Sequence, residues 1–252
     1  MEIFIDIETL RAPESVRLEI LKDTKDNFKA PTGLTKAQAA KDLGLTDGKE
    51  IKFTSAPDMI ARWEDRFKEE KAVEVAHTKW EKTSFDPTVT PIACICIGYF
   101  DSGEYKKIEF TNDHITTERN MLDDFHFTVN EICSKNGAQI TKPMFIGHYI
   151  NKFDLPFIWK RSMINGVTPC KGVKWIDAKH GYNCYDTMQA WAGYGNSISM
   201  DRLAEVLKLQ RKTEGMDGSR VYDTWQEDPQ KVIDYCHDDV EMVKQIHERL
   251  TK

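Results

Sequence analysis

No apolar run in the 252-residue chain approaches the roughly 20 residues that a membrane-spanning helix needs, so a helical membrane protein is excluded. The first residues carry neither a basic n-region nor an apolar h-region, and a strand begins at once, so no secretion signal is expected. A basic excess is missing as well. The formal net charge of −6 speaks against a long surface that coats nucleic acid nonspecifically, but not against an enzyme that carries part of its positive charge as bound metal. The cysteines Cys94, Cys96, Cys133, Cys170, Cys184 and Cys236 include no C-x-x-C pair, and Cys94 and Cys96 fall in an apolar strand. Reduced core thiols in a cytoplasmic protein are therefore expected, not a zinc centre. There is no internal repeat and no low-complexity tract.

What is present suffices for a sizeable core: 40% hydrophobic residues, with 12 Phe, 6 Trp and 8 Tyr. The length suits a single domain, here 1–252, with an insertion. Residues 3–9 form an apolar, β-branched run that reads as a buried strand. Residues 11–90 break the alternation and read as a helical insertion. It has start signals at Pro13, Thr35 and Ser55, a stop at Gly44, and a long helix to about Lys82. On that helix Met59, Trp63, Phe67, Val73, Ala76 and Trp80 recur at helical steps, which favours core packing over a base-stacking platform. Residues 91–100 and 105–110 read as a hairpin, 116–134 as a helix, and 143–148 as a short strand. A helix follows Asp154, then a loop over 166–181 and a strand over 182–185 with Asp186 as a helix cap. A helix after Ser199 turns Leu203, Val206 and Leu207 inward, 210–219 is a polar loop, and a last helix runs from about Pro229 to Leu250. The five strands predict an α/β fold with a mixed sheet.

Three acidic signals stand out. Asp6 and Glu8 share one face of the first strand, where two ionised carboxylates repel each other and lose hydration unless a divalent cation compensates. The last helix has an apolar stripe through Val232, Cys236, Val243, Ile246 and Leu250, and Asp239 sits in the middle of it. Tyr235 lies one turn earlier, within reach of Asp239. Asp154 stands where a strand and a Gly-His turn lead into a helix. Taken singly, each acid also reads as a surface charge, a boundary residue or a cap. Together they suit a site for two Mg²⁺ or Mn²⁺ ions, in which one activates water and the other stabilises the leaving oxygen of a phosphoryl displacement. A tyrosine beside the ions would orient the water.

On the segments FIDIETL (4–10), GHYINKFDLPFI (147–158) and YCHDDV (235–240), the chain resembles the DEDDy branch of the DnaQ-like 3′–5′ exonucleases. It is most similar to the proofreading domains of family B DNA polymerases and to related stand-alone, often phage-borne enzymes. The resemblance runs over 2–10 and about 92–248, includes MDRLAEVLKL and GMDGSRVYD, and does not cover 11–90. It implies an RNase H-like fold, a mixed five-stranded sheet flanked by helices, with the site at the end of the first strand. It implies metal ligation by Asp6, Glu8, Asp154 and Asp239 and water orientation by Tyr235. It implies Thr9 near the terminal nucleotide, Leu10 against the last bases, and Phe153 as a packing or stacking neighbour. The family usually has Asn two residues after the Gly of the second motif. Here that residue is Tyr149, and Asn151 is the expected substitute in holding the strand. His148 and His237 are expected to be structural, because the branch that uses His carries it in place of the Tyr.

The leading expectation is a metal-dependent 3′–5′ exonuclease that releases nucleoside 5′-monophosphates from the 3′ end of single-stranded DNA, in a bacterial or phage-type cytoplasm. It would act alone or assist a replication or repair protein, with 11–90 flanking the site and selecting substrate form. The alternatives are the same chemistry on RNA, for which no 2′-hydroxyl reader is identifiable, and a catalytically idle binding module, against which all four acids and the Tyr speak.

Overall fold

The computed structural model describes residues 1–112, 117–134, 142–209 and 216–252. In chain order its elements are β1 (Glu2–Thr9), α1 (Glu14–Asp26), α2 (Lys36–Asp42), α3 (Gly48–Phe53), α4 (Ala56–Glu81), β2 (Ile92–Asp101), β3 (Glu104–Thr111), α5 (Glu118–Ser134), β4 (Met144–Gly147), α6 (Asp154–Asn165), β5 (Cys184–Asp186), α7 (Thr187–Ala192), α8 (Met200–Val206), α9 (Val221–Glu227) and α10 (Pro229–Leu250). They fall into two compact units, one of Met1–Leu10 with Thr90–Lys252, the other of Arg11–Val89.

In the first unit the strands lie in the order β3-β2-β1-β4-β5. β1 is antiparallel to β2 and parallel to β4, and β4 is parallel to β5, so the expected mixed five-stranded sheet is what forms. Strand alternation sorts the two faces. Ile3, Ile5 and Ile7 pack with Leu122, Phe125 and Val129 of α5 and with Phe157 and Ile158 of α6. Phe4, Cys94 and Cys96 face the other way, against Trp225 of α9 and Val232, Cys236, Val240 and Val243 of α10. Helices thus flank the sheet, the architecture of RNase H-like exonuclease domains. A buried ion pair fastens the first layer. Arg161 Nε donates to Glu118 Oε1 at 2.9 Å, and the same carboxylate accepts the Ile92 N–H at 2.9 Å and the Asn165 amide at 2.9 Å.

Some expectations fail in instructive ways. The strand expected over 182–185 is β5, shifted toward Asp186. Between the expected loop over 210–219 and the last helix a further helix forms, α9, with Val221 and Trp225 buried one turn apart. On α8 it is Ala204, beside Leu203, that turns inward, while Val206 is 43% exposed. Residue 116 of the expected helix and 210–215 of the expected loop lie outside the described residues.

The second unit is helical. Thr35 caps α2 by accepting the Gln38 N–H at 3.2 Å, and Ser55 caps α4 by accepting the Asp58 N–H at 3.2 Å. Short α3, capped by Asp47, was not foreseen. On α4 Ala72 is buried, while Val73 is 48% exposed and so is not on the inward stripe. Both tryptophans of α4 are core residues: the Trp63 indole donates to Asp42 at 2.9 Å, and the Trp80 indole to the Ala12 carbonyl at 2.8 Å.

Candidate active site

The site begins where β1 ends. Asp6 stands opposite Cys96 and Glu8 opposite Cys94, and the register slips between Glu8 and Thr9. Such irregularities re-aim side chains and are common beside active sites. α10 packs on this face with Val232, Cys236, Asp239, Val240 and Val243 buried along its inner stripe. One carboxylate oxygen from each of Asp6, Glu8 and Asp239 lies within 4.8 Å of the other two.

Asp154 opens α6 and is 3% exposed. Its carboxyl is held well above the usual range, first by burial and then by the nearby charge of Asp6, with Asp186 adding to it. It is not part of the mutually close set formed by Asp6, Glu8 and Asp239. Tyr235, one turn before Asp239, is half-buried, and its phenol is pushed above the ordinary value by burial, then by Glu8 and Asp6. It stays protonated and can donate a hydrogen bond beside these acids.

The remaining expected residues are placed as follows. Thr9 ends β1 and is half-buried. Leu10 packs against the α9–α10 cluster, and its N–H donates to the Pro91 carbonyl at 3.1 Å. The Asn151 amide donates to Gln189 Oε1 at 3.0 Å. Phe153 packs on the core and on Phe157, with ring centroids 5.4 Å apart. His148 has both ring nitrogens engaged: Nε2 donates to the Ile198 carbonyl at 2.9 Å and Nδ1 meets the Thr187 hydroxyl at 2.9 Å. His237 Nε2 lies 3.1 Å from Glu109 Oε2.

Two features were not read from the sequence. The thiols of Cys94, Cys96 and Cys236 come within 4.8 Å of one another, and Cys236 Sγ donates toward Asp6 Oδ2 at 3.6 Å. The strand period of Cys94 and Cys96 was the available signal, but their partner is distant in sequence. The second is Asp186, legible only as a cap. It accepts the Gln189 N–H at 3.1 Å as expected and also the Tyr149 N–H at 3.1 Å, so it ties the second-motif turn to α7.

Clustered carboxylates with no compensating cation would repel one another, and hard oxygen donors suit Mg²⁺ or Mn²⁺ better than soft metals. The donor set therefore fits divalent cations, the kind that exonuclease domains of this fold generally use.

A mixed sheet with acids converging at the end of its central strand defines a nuclease-type domain, whose substrate is a nucleic acid. Residues 85–243, well over half of the chain, match the family described as "Predicted 3′-5′ exonuclease related to the exonuclease domain of PolB", and the chain belongs to that family. The search of curated proteins found no match. The matched segment holds Asp154, Tyr235 and Asp239 but not Asp6 or Glu8. The fold brings these last two in, by pairing β1 between β2 and β4. Among the described residues no helix is long and apolar enough to cross a membrane.

Proposed function

We propose that this chain is a divalent-metal-dependent 3′–5′ exonuclease that removes nucleoside 5′-monophosphates from the 3′ end of single-stranded DNA. The observation that carries the reading is the convergence of Asp6, Glu8 and Asp239 within 4.8 Å in a member of an exonuclease family. In this reading Asp6, Glu8, Asp239 and Asp154 hold two Mg²⁺ or Mn²⁺ ions. Bound ions would lower the pKa of water and neutralise charge on the phosphate. Tyr235, kept protonated by burial and by Glu8, donates a hydrogen bond that orients the attacking water. Thr9 and Leu10 flank the terminal nucleotide, with Asn151 and Phe153 along the second-motif turn. This is the DEDDy arrangement.

We treat 1–252 as one exonuclease domain with a helical insertion, and the Arg11–Val89 unit as a selector of substrate form, an idea that rests on its position directly after Leu10. Free, buried thiols support a reducing, cytoplasmic setting, and a replication or repair protein is a fitting partner.

The test is a parallel digestion, with Mn²⁺, of 5′-labelled DNA and RNA of one sequence, each with a free and a blocked 3′ end. The expected result is faster loss of the free-ended DNA. Faster loss of RNA would move the reading to an exoribonuclease, and cutting of blocked ends would remove the exonuclease assignment.

A further inference from the structure

The second-motif turn that leads into Asp154 also lines a cavity of about 760 Å³, of which the catalytic reading uses only Asn151. Its walls come from the second-motif turn, from α7 and from residues 193–200, and they include Tyr149, Asn151, Asp186, Gln189, Tyr194 and Asn196. Asp186 ties the cavity wall to the turn that leads into Asp154, since its carboxylate accepts the Tyr149 N–H at 3.1 Å and Asp154 opens the helix that follows. The volume lies within the roughly 300–1,000 Å³ of ordinary small-molecule sites.

Two features of the wall indicate what it takes. Tyr149 is 46% exposed and Tyr194 is 88% exposed, so two aromatic faces stand open at one cavity. Tyr149 is also held at a φ of 62°, an uncommon backbone conformation for a bulky residue, and the Asp186 carboxylate accepts its N–H there. The polar groups are mainly amides. Asn151 donates to Gln189 Oε1, which leaves the Asn151 carbonyl and the Gln189 amino group as one acceptor and one donor among the described residues. Asn196 Nδ2 donates to the Ala192 carbonyl and keeps its own carbonyl as an acceptor. The charged side chains of the lining are Lys152 and Asp186, apart from His148, and their charges balance. A phosphate would meet no cationic cluster in this wall. A flat, uncharged ring with donors and acceptors on its edge fits both the aromatic faces and the amides.

We infer that this cavity receives an unpaired nucleobase of the substrate strand, on the 5′ side of the terminal nucleotide, stacked on Tyr149 and Tyr194 and met at its edge by Asn151 and Gln189. The inference rests on the exonuclease reading and deepens it. A base held in a duplex keeps its faces in the helical stack and its edge on its partner, so the cavity selects single-stranded ends. Stacking tolerates every base, because each has a π-face, and little sequence preference follows.

The test uses the full chain with Mn²⁺ and two substrates, a single-stranded oligothymidylate and the p-nitrophenyl ester of thymidine 5′-monophosphate, which has one nucleoside and no upstream base. The variant pair is Tyr149→Gly with Tyr194→Ala, glycine being chosen to keep the positive φ. The ring-keeping control is Tyr149→Phe with Tyr194→Phe. The expected result is that the ratio of KM for the oligonucleotide to KM for the ester rises about tenfold or more when the rings are removed. It stays at the wild-type value when only the hydroxyls are removed. An unchanged ratio without the rings, with the ester still hydrolysed, would overturn the nucleobase site and leave the exonuclease reading standing. Absence of Mn²⁺-dependent hydrolysis of both substrates by the wild-type protein would remove the exonuclease reading, and this inference with it.

Discussion

The carboxylate of Asp186 accepts the backbone N–H of Tyr149 at 3.1 Å, across a separation of 37 residues. The same oxygen accepts the Gln189 N–H at 3.1 Å, and the Asp186 N–H donates to His180 Nδ1 at 3.0 Å. One side chain therefore fixes both the start of α7 and the turn that leads to Asp154. Asp186→Ala removes a cap and a buried acceptor together, and is expected to cost about 1–3 kcal/mol of stability. Asp186→Asn keeps an oxygen acceptor and should lose less. Urea unfolding of the two variants checks this. Equal losses would show that acceptance by this carboxylate is not what matters.

Asp154 is buried against the charge of Asp6, an arrangement that costs stability when no cation is present. Asp154→Asn removes one of the repelling charges. The metal-free variant should melt a few degrees higher than wild type, about 2–4 °C per kcal/mol regained for a chain of this size. The rise in melting temperature on adding Mn²⁺ should shrink at the same time. Thermal melts with and without the ion read both effects, and a lower metal-free melting temperature would contradict the account.

His126 gives a pH dependence away from the acids. Its Nδ1 accepts the Cys170 N–H at 3.3 Å, its Nε2 meets the Ser162 hydroxyl at 2.9 Å, and burial lowers its pKa to about 4. The folded-state value lies below the unfolded one, so the unfolded chain binds the proton first as pH falls. Stability from neutral His126 is thus complete above the unfolded value of about 6.5 and is lost progressively down to the folded value, by roughly 3 kcal/mol at most. Urea unfolding between about pH 7 and pH 4.5 should show that loss, and His126→Gln should flatten the slope. An equal slope in the variant would assign it to other groups.

Gly147 ends β4, and a Cβ there would stand 2.8 Å from Ile150 Cβ and 2.9 Å from its Cδ1. Ile150 is fully buried, so it has little room to give way. Gly147→Ala is expected to cost about 1–3 kcal/mol and to disturb the turn that carries Tyr149. Denaturant unfolding measures the cost. A loss below about 0.5 kcal/mol would mean that the turn relaxes freely.

The sequence made most of the sheet legible because strand signals are local. The alternation of Ile3, Ile5 and Ile7 marks β1, and Asp239 betrays itself as a carboxylate inside an apolar helical stripe. Where apolar spacing was ambiguous, tertiary packing decided. Val73 and Val206 look inward by step-counting, yet neighbouring Ala72 and Ala204 take the buried places, since a small residue allows closer approach. Short α3 and α9 offer too few turns for a periodic signal. The cavity was not legible at all, because its walls come from segments that meet only in the fold. Asp186 shows both sides: its cap to α7 is four letters long, whereas its bond to Tyr149 depends on β4 lying beside β5.

Metal-dependent removal of nucleotides from a 3′ end is read by digesting a 5′-labelled single-stranded DNA oligonucleotide with Mg²⁺ or Mn²⁺, beside the Asp6→Ala, Glu8→Ala double variant and an EDTA control. The account predicts a ladder that shortens from the 3′ end and is absent from both controls. An oligonucleotide that stays intact with the wild-type protein, or is shortened equally by the double variant, would contradict it.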